Sequence, residues 1–425
     1  EMLSNSITKI FHRQLKKLFN KTSSKAIIGV LIGAAATAIV QSSGATTIMI
    51  VGFVNTGIIN LFQATSLIMG ANIGTTITAQ IAALSGSGIG FDFGALALGL
   101  TGIGALMTMF TKKEHVKTFG NMLAGFGLLF LGLECMSLAI GNEFKMLSTE
   151  IPSFINVASL KKVISGGKEY YYVPYIKEAI KGLLANEFIT TSFLAPFILF
   201  VLGIVFTAIT QSSSLITSII IAFVSAGIYI GAPEGTSTLT NNVLFLILGS
   251  NIGSCVTALI SSMGADTNAK RASIIHILFN TFGAVLFAIL LLLWPTFMED
   301  TFVKWFSGEG AEATQIAMFH TFFNIACTLI FLPFINIFVK VSEVLVRDKK
   351  TAKEPHRLIY LDERILATPS IAVHQVRKEL ALMYSKSVEA LNISIDAFLN
   401  KDNEQRENVD SRIEELEFTN KQIIE

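Results

Sequence analysis

The sequence predicts an all-α polytopic membrane protein of two inverted repeats, each with a re-entrant helical hairpin and a broken transmembrane helix. Three observations carry that expectation. First, the 425 residues are 52% hydrophobic and 15% charged, whereas a soluble domain carries about 25% charged residues. Second, the charges are segregated: between Lys25 and Lys112 the one charged side chain is Asp92, and between Glu187 and Glu234 there is none. Third, the chain resembles itself. Residues 37–59 match 207–229 at 12 of 23 positions, and 68–79 match 247–258 at 7 of 12. Chance apolar likeness would fall on Leu, Ile and Val, but these matches fall largely on Gln, Ser, Thr, Asn and Gly.

Taken in order, residues 1–25 carry Lys9, Arg13, Lys16, Lys17, Lys21 and Lys25, which suits a basic helix end on the cytoplasmic face. Glu1 reads as lying within a helix whose start is absent. Residues 26–140 form the first repeat, with apolar segments at about 26–54, 61–84, 93–110 and 118–140. A polar external loop follows at 141–191. The second repeat, 192–345, has segments at about 192–230, 241–262, 272–294 and 315–340. Residues 346–425 turn charged and form a cytoplasmic linker and helical region.

Basic residues set the orientation. They cluster at 9–25, at Lys112, Lys113 and Lys117, at Lys270 and Arg271, and from Lys340 to Arg357, while the loops at 85–92 and 295–314 carry only Lys304. Under the positive-inside rule the four clusters are cytoplasmic. That closes only if 26–54 and 192–230 each enter and leave on one side. Three full spans between them give the two halves opposite orientation, the inverted-repeat plan of secondary transporters with a site near the midplane.

The chemistry is expected at the hairpin tips. Gln41-Ser42-Ser43-Gly44 with Thr46 and Thr47, and Gln211-Ser212-Ser213-Ser214 with Thr217 and Ser218, place polar groups in mid-segment, where they are costly unless satisfied. A chain reversal there exposes helix N-terminal N–H groups that favour an anion. The expected anion contacts are Ser42, Ser43, Thr46, Thr47, Ser212, Ser213, Ser214, Asn72 and Asn251. Glycines flank Asn72 and Asn251 in Gly70-Ala71-Asn72-Ile73-Gly74-Thr75-Thr76 and Gly249-Ser250-Asn251-Ile252-Gly253-Ser254-Cys255, which suggests local unwinding and a hard-oxygen cation site. The expected cation contacts are Gln41, Gln211, Thr75, Thr76, Thr217 and Ser254. Small polar residues also serve plain helix packing. No Lys or Arg falls in these cores, so co-bound cations would balance an anion's charge, and each would aid the other's binding. His276 with Asn280, and His320 with Asn324, are spaced i, i+4 and read as interhelical hydrogen-bonding stripes. Glu134 is a further intramembrane candidate.

The paired Gln-Ser-Ser motifs, the Thr-rich turn and the Gly-x-Asn-Ile-Gly pairs resemble the type II sodium-phosphate cotransporter family over roughly residues 26–340. The resemblance implies phosphate uptake driven by sodium as the coupling ion, with Gln41, Ser42, Ser43, Gln211, Ser212, Ser213 and Ser214 at the sites. Gly44 stands where the family more often has a third serine. The absence of cysteine from 141–191, unlike the disulfide-bearing loop of animal members, suits a bacterial protein of the inner membrane, and the basic cluster from Lys340 is expected to put the C-terminus in the cytoplasm. From Leu361 the chain looks like the linker and first helices of a truncated PhoU-like region, whose charges at Glu404, Glu407, Asp410, Glu414 and Glu417 read as a solvated face. Expected partners are phosphate, sodium, the lipid bilayer and a homodimer partner; net charge of +1 gives no reason to expect nucleic acid. No organic cofactor and no enzymatic machinery are expected. A carrier of another small anion, dicarboxylate or sulfate, and a phosphate-responsive scaffold are the competing readings.

Overall fold

A computed structural model describes residue 6 and residues 25–86, 93–141, 144–147, 160–165, 168–173, 193–232, 238–308, 310–347, 358–366, 369–400 and 403–424. The basic segment before Lys25, the loop at 87–92, most of 141–191 and the linker at 348–357 lie outside the described residues. Each Gln-Ser-Ser segment is a helix–turn–helix: α1 (Ala26–Val40) with α2 (Ser43–Asn55), and later α6 (Ala195–Thr210) with α7 (Ser213–Ser225). At 1.5 Å per residue these helices are about 20–24 Å long, short of the ~30 Å hydrocarbon core.

The reversal is visible in the packing of the next helix. A Cβ on Gly33 of α1 would strike the Leu67 carbonyl oxygen of α3 (Leu61–Gly86) at 2.1 Å. On α3, one at Gly70 would meet the Val30 oxygen at 2.0 Å and one at Gly74 the Ala34 oxygen at 2.4 Å. Numbers rise together on both helices, so α1 and α3 are parallel, and α2, which joins them in the chain, runs back. The second half repeats this with α6 and α8 (Asn241–Gly253): Gly249 faces the Phe200 oxygen at 2.0 Å and Gly253 the Ile204 oxygen at 2.5 Å. Small residues allow this close approach of backbones.

The two units run in opposite senses. Gly44, at the start of α2, faces Thr257 of α9 (Cys255–Ser262), and Asn55, at its end, accepts the Asp266 N–H through Oδ1 at 2.8 Å. α2 is therefore parallel to α9, and α8–α9 oppose α1 and α3.

The expected break is corrected by the structure in the first half and is confined to a single residue in the second. α3 runs without interruption through Gly70–Gly74, and in the second half only Ser254 stands between α8 and α9, with helical torsions of φ −63° and ψ −23°. The glycines bring helices together rather than unwinding them. Asn72 and Asn251 stay in the helix, each donating back to its own chain, to Ile68 O at 3.0 Å and Ile247 O at 2.9 Å.

Beyond this core the halves differ. α10 (Thr267–Leu293) and α11 (Glu312–Phe331) pack into it: Ser273 donates to Ala258 O at 2.8 Å, Gln80 to the Thr321 hydroxyl at 2.8 Å, and Phe287 and Phe323 meet edge to face at 5.0 Å. α4 (Phe93–Phe110) and α5 (Glu114–Gly141) instead pack chiefly on each other, around Gly104, Gly120 and Gly127. A sheet of order β1-β3-β2 lies in the polar loop, from β1 (Phe144–Leu147), β2 (Lys161–Ser165) and β3 (Lys168–Val173).

Five spans among the described residues are long and apolar enough to cross a membrane. Burial separates central from peripheral: 72% of the α3 span is buried against 28% of the α5 span. Large apolar side chains face outward, among them Leu98 and Phe110 on α4, Phe197 and Ile209 on α6, and Leu293 on α10. Such a belt is stable only against lipid. The chain is an integral membrane protein with an all-α membrane region.

After α12 (Ile335–Leu345) the chain returns to the core's end. Arg271 donates from Nε to Val346 O at 3.0 Å. Asn55 also donates to the Asp362 carboxylate, and Ile365 of α13 (Glu363–Leu366) is fully buried in the core around α1–α3. Buried Glu379, on α14 (Pro369–Asn400), accepts the Ile359 and Tyr360 N–H groups at 3.2 and 2.5 Å. α15 (Asn403–Ile424) pairs antiparallel with α14 through Lys386–Glu415 and Arg412–Glu389. Asp410, Glu414 and Glu417 are exposed; the side chains of Glu404 and Glu407 lie outside the described ones.

Candidate substrate and cation site

The two tips share one backbone geometry. Gln41 has φ 56° and ψ 27°, Gln211 φ 54° and ψ 27°, and among the described residues they alone, glycines aside, have positive φ. A left-handed non-glycine residue costs on the order of 1–2 kcal/mol. It recurs at equivalent places in both halves, ending α1 and α6. Each glutamine N–H bonds back at 2.7 Å, to Thr37 O and Thr207 O. The next serines are extended, with φ −149° at Ser42 and −144° at Ser212, and cap the following helices: Ala45 N–H donates to Ser42 Oγ and Leu215 N–H to Ser212 Oγ, both at 3.2 Å.

A capping hydroxyl accepts from the backbone and keeps its own proton for a ligand. The hydroxyls of Ser43, Ser213 and Ser214 make no hydrogen bond among the described residues. With the first N–H groups of α2 and α7, which have no intrahelical acceptor, each tip presents a cluster of donors. No charged side chain lies in α1–α3 or α6–α9. The dipole and hydroxyls are the attraction each tip offers an anion.

The threonines behave differently from the serines. Thr46 donates to Ser42 O at 3.0 Å, Thr47 to Ser43 O at 2.8 Å, Thr217 to Ser213 O at 3.1 Å, Thr75 to Ala71 O at 2.9 Å and Thr76 to Ile73 O at 2.8 Å. Ser254 donates to Asn251 O at 2.6 Å. With the proton committed, each oxygen has only lone pairs to offer. That suits the cation role expected of Thr75, Thr76, Thr217 and Ser254, and it removes Thr46 and Thr47 as ready anion donors.

Gln41 is held at both ends of its amide. Nε2 donates to Ala38 O at 2.5 Å, and Oε1 accepts from the Thr78 hydroxyl at 3.0 Å. Gln211 is exposed, and no such bond is present at the second tip among the described residues. α2 lies against α9 and α7 against α3, so the second helix of each hairpin meets the long helix of the other half.

Four threonines here were not among the expected site residues. Among the described residues, Thr37 and Thr207, one turn before the glutamines, are fully buried with hydroxyls that find no partner; Thr78 holds Gln41, and the buried Thr257 hydroxyl is also without a partner. All four were visible as matches in the internal alignment, Thr37 with Thr207 and Thr78 with Thr257.

Of the histidine stripes, His276–Asn280 bonds across helices, to Cys255 of α9, through the Asn280 amide and the His276 backbone oxygen rather than through the imidazole. Asn280 and Asn324 donate to their own histidines' backbone oxygens at 3.1 and 2.9 Å, Asn280 also reaches Cys255 Sγ at 3.3 Å, and both His320 ring nitrogens are buried without a partner. Glu134 is exposed beside Gly94.

Comparison with known proteins gives this geometry a family. The chain is 28% identical to the uncharacterized protein YqeW of Bacillus subtilis, over 82% of this chain and 92% of that protein. It is 24% identical to YjbB of Escherichia coli K12, named as a candidate inorganic phosphate export protein, over 89% of this chain and 59% of YjbB. The sodium-dependent phosphate transport protein 2A of Rattus norvegicus is 23% identical, over 73% of this chain and 60% of its own length. The chain thus spans about three-fifths of the relatives named for phosphate. No solved structure matches. The profile of the Na+/Pi-cotransporter family, a family of transporters and not of enzymes, matches residues 1–138 and 176–294, and the chain belongs to that family.

Proposed function

We propose that this chain is a sodium-coupled transporter of inorganic phosphate, with the two Gln-Ser-Ser tips as re-entrant hairpins that meet near the middle of the membrane. The observation that carries the reading is the repeated tip: the same strained glutamine, the same capping serine and an uncommitted serine hydroxyl after it, on units of opposite sense. Ser42, Ser43, Ser212, Ser213 and Ser214, with the helix N-termini, donate to phosphate. Gln41, Gln211, Thr75, Thr76, Thr217 and Ser254 offer oxygens to sodium. Asn72 and Asn251 each spend one amide N–H on their own helix and keep the second for the phosphate. With no cationic side chain nearby, phosphate enters at low cost only beside a cation, which is the physical basis of coupling.

Asn55, Asp266, Arg271, Val346 and Asp362 gather at one end of the fold. Two of the basic clusters begin there, which supports a single cytoplasmic face holding the C-terminal helices, in a bacterial inner membrane. Inverted repeats at 26–140 and 192–345, an external loop at 141–191 and a PhoU-like region within 346–425 belong to the same proposal.

A coupled carrier runs down its summed gradients, so an inward sodium gradient drives uptake and a reversed gradient would drive export. The test is radioactive phosphate flux in proteoliposomes under imposed sodium, lithium or potassium gradients. Accumulation with sodium alone supports the reading. Sulfate or dicarboxylate accumulation in its place would select the other-anion reading, and no flux would select the scaffold.

A further inference from the structure

Within the four tip residues 41–44 and 211–214 the two halves differ at one position, where the internal repeat sets Gly44 against Ser214. The first tip thus lacks one hydroxyl that the second has. A Cβ built on Gly44 would stand 3.3 Å from Thr257 Cγ2 and 3.9 Å from Thr257 Oγ1, so a threonine from the opposite half fills the space beside the missing side chain. Its Oγ1 is buried and has no hydrogen-bond partner among the described residues. Most threonines in these helices donate to a carbonyl one turn back, as Thr46, Thr47, Thr75 and Thr217 do; Thr257 does not. A buried hydroxyl left unpaired is destabilising unless a ligand or water satisfies it. The matching threonine of the first half, Thr78, already reaches this tip by donating to Gln41 Oε1.

We infer that Thr257 supplies, across the interface between the halves, the donor that Ser214 supplies from within the second tip, so that the phosphate site takes a hydroxyl from α9 in place of the serine absent at position 44. The inference rests on the phosphate reading of the tips. It makes Thr257 a specificity-determining contact and Gly44 its steric partner: at 3.3 Å a serine at 44 would press on the Thr257 methyl, and the two hydroxyls are alternatives.

The experiment is phosphate uptake by the full chain in proteoliposomes, comparing Thr257→Val, Thr257→Ser, Thr257→Ala, Gly44→Ser/Thr257→Ala and Ser213→Ala. Each variant's melting temperature is measured in parallel to exclude misfolding. Thr257→Val keeps the shape and removes the donor, so the phosphate KM should rise roughly tenfold with Vmax within about twofold. Thr257→Ser should retain the wild-type KM. Gly44→Ser should recover most of what Thr257→Ala loses, because the space vacated admits the new hydroxyl. A wild-type KM for Thr257→Val beside a raised one for Ser213→Ala would overturn this inference and leave the tip site standing. Wild-type behaviour of both would overturn the site itself. A loss in Thr257→Ala that Gly44→Ser fails to recover would refute the equivalence of the two hydroxyls.

Discussion

Replacing Ser213 by alanine isolates what a tip hydroxyl does for an anion. Ser213 is 3% exposed, opens α7, and its hydroxyl makes no hydrogen bond among the described residues. The substitution therefore breaks no bond within the protein, and the melting temperature should hold. A hydrogen bond to a charged ligand contributes about 1.5–3 kcal/mol, so phosphate affinity should fall roughly 10-fold to 150-fold. Ser212→Ala is the informative contrast. It deletes the cap that holds Leu215 N–H, so it should lower stability by about 1 kcal/mol as well as affinity. Titrating phosphate into purified protein at fixed saturating sodium, with a melting curve for each variant, reads both quantities. Unchanged affinity in Ser213→Ala would mean that these serines end helices and do nothing for the anion.

Further predictions follow the same geometry. Gln41→Gly relieves the left-handed backbone but removes the amide that Thr78 and Ala38 hold; it should fold, keep the hairpin and lose sodium dependence of phosphate flux. Gly249→Ala would drive a methyl to 2.0 Å from the Phe200 oxygen and should destabilise by about 1–3 kcal/mol or more, read as a fall in melting temperature with Gly99→Ala, which has open space, as control. Asn55→Ala removes the side chain shared by Asp266 N–H and Asp362, and limited proteolysis should then cut faster near residues 358–366; an unchanged rate would show that Ile365 burial and Glu379 alone hold that segment.

The polar tips were legible because polar residues are conspicuous in a long apolar segment, and a motif written twice excludes accident. The charge pattern led to the reversal between Val40 and Ser43, which the parallel packing of α1 on α3 matches. The meaning of the glycines was not legible: Gly70 and Gly74 permit unwinding and close packing alike, and only the Val30 and Ala34 oxygens 2.0 and 2.4 Å from their would-be methyls separate the two. Hydroxyl direction is hidden in the same way. Thr46 and Ser43 look equally suited to an anion in the sequence, yet one proton is committed to a helix carbonyl and the other is not. Thr37, Thr78, Thr207 and Thr257 stood in the internal alignment, but threonine is common in membrane helices and only burial without a partner, or a bond to a tip, singles them out. The unequal placement of α4–α5 and α10–α11 had no signal in the repeat, since the matched residues stop before those helices.

The central claim is that phosphate and sodium bind as a linked pair at the tips, and calorimetric titration of phosphate at stepped sodium concentrations tests it most directly. For the wild-type chain, phosphate affinity should rise with sodium, and phosphate should raise sodium affinity by the same factor, because linkage between binding equilibria is reciprocal. In Gln41→Glu and Gln211→Glu the added negative charge should weaken phosphate binding and shift its sodium dependence. Phosphate affinity indifferent to sodium in the wild type, or the wild-type dependence kept in both variants, would contradict the account and leave the glutamines as caps of two helical hairpins.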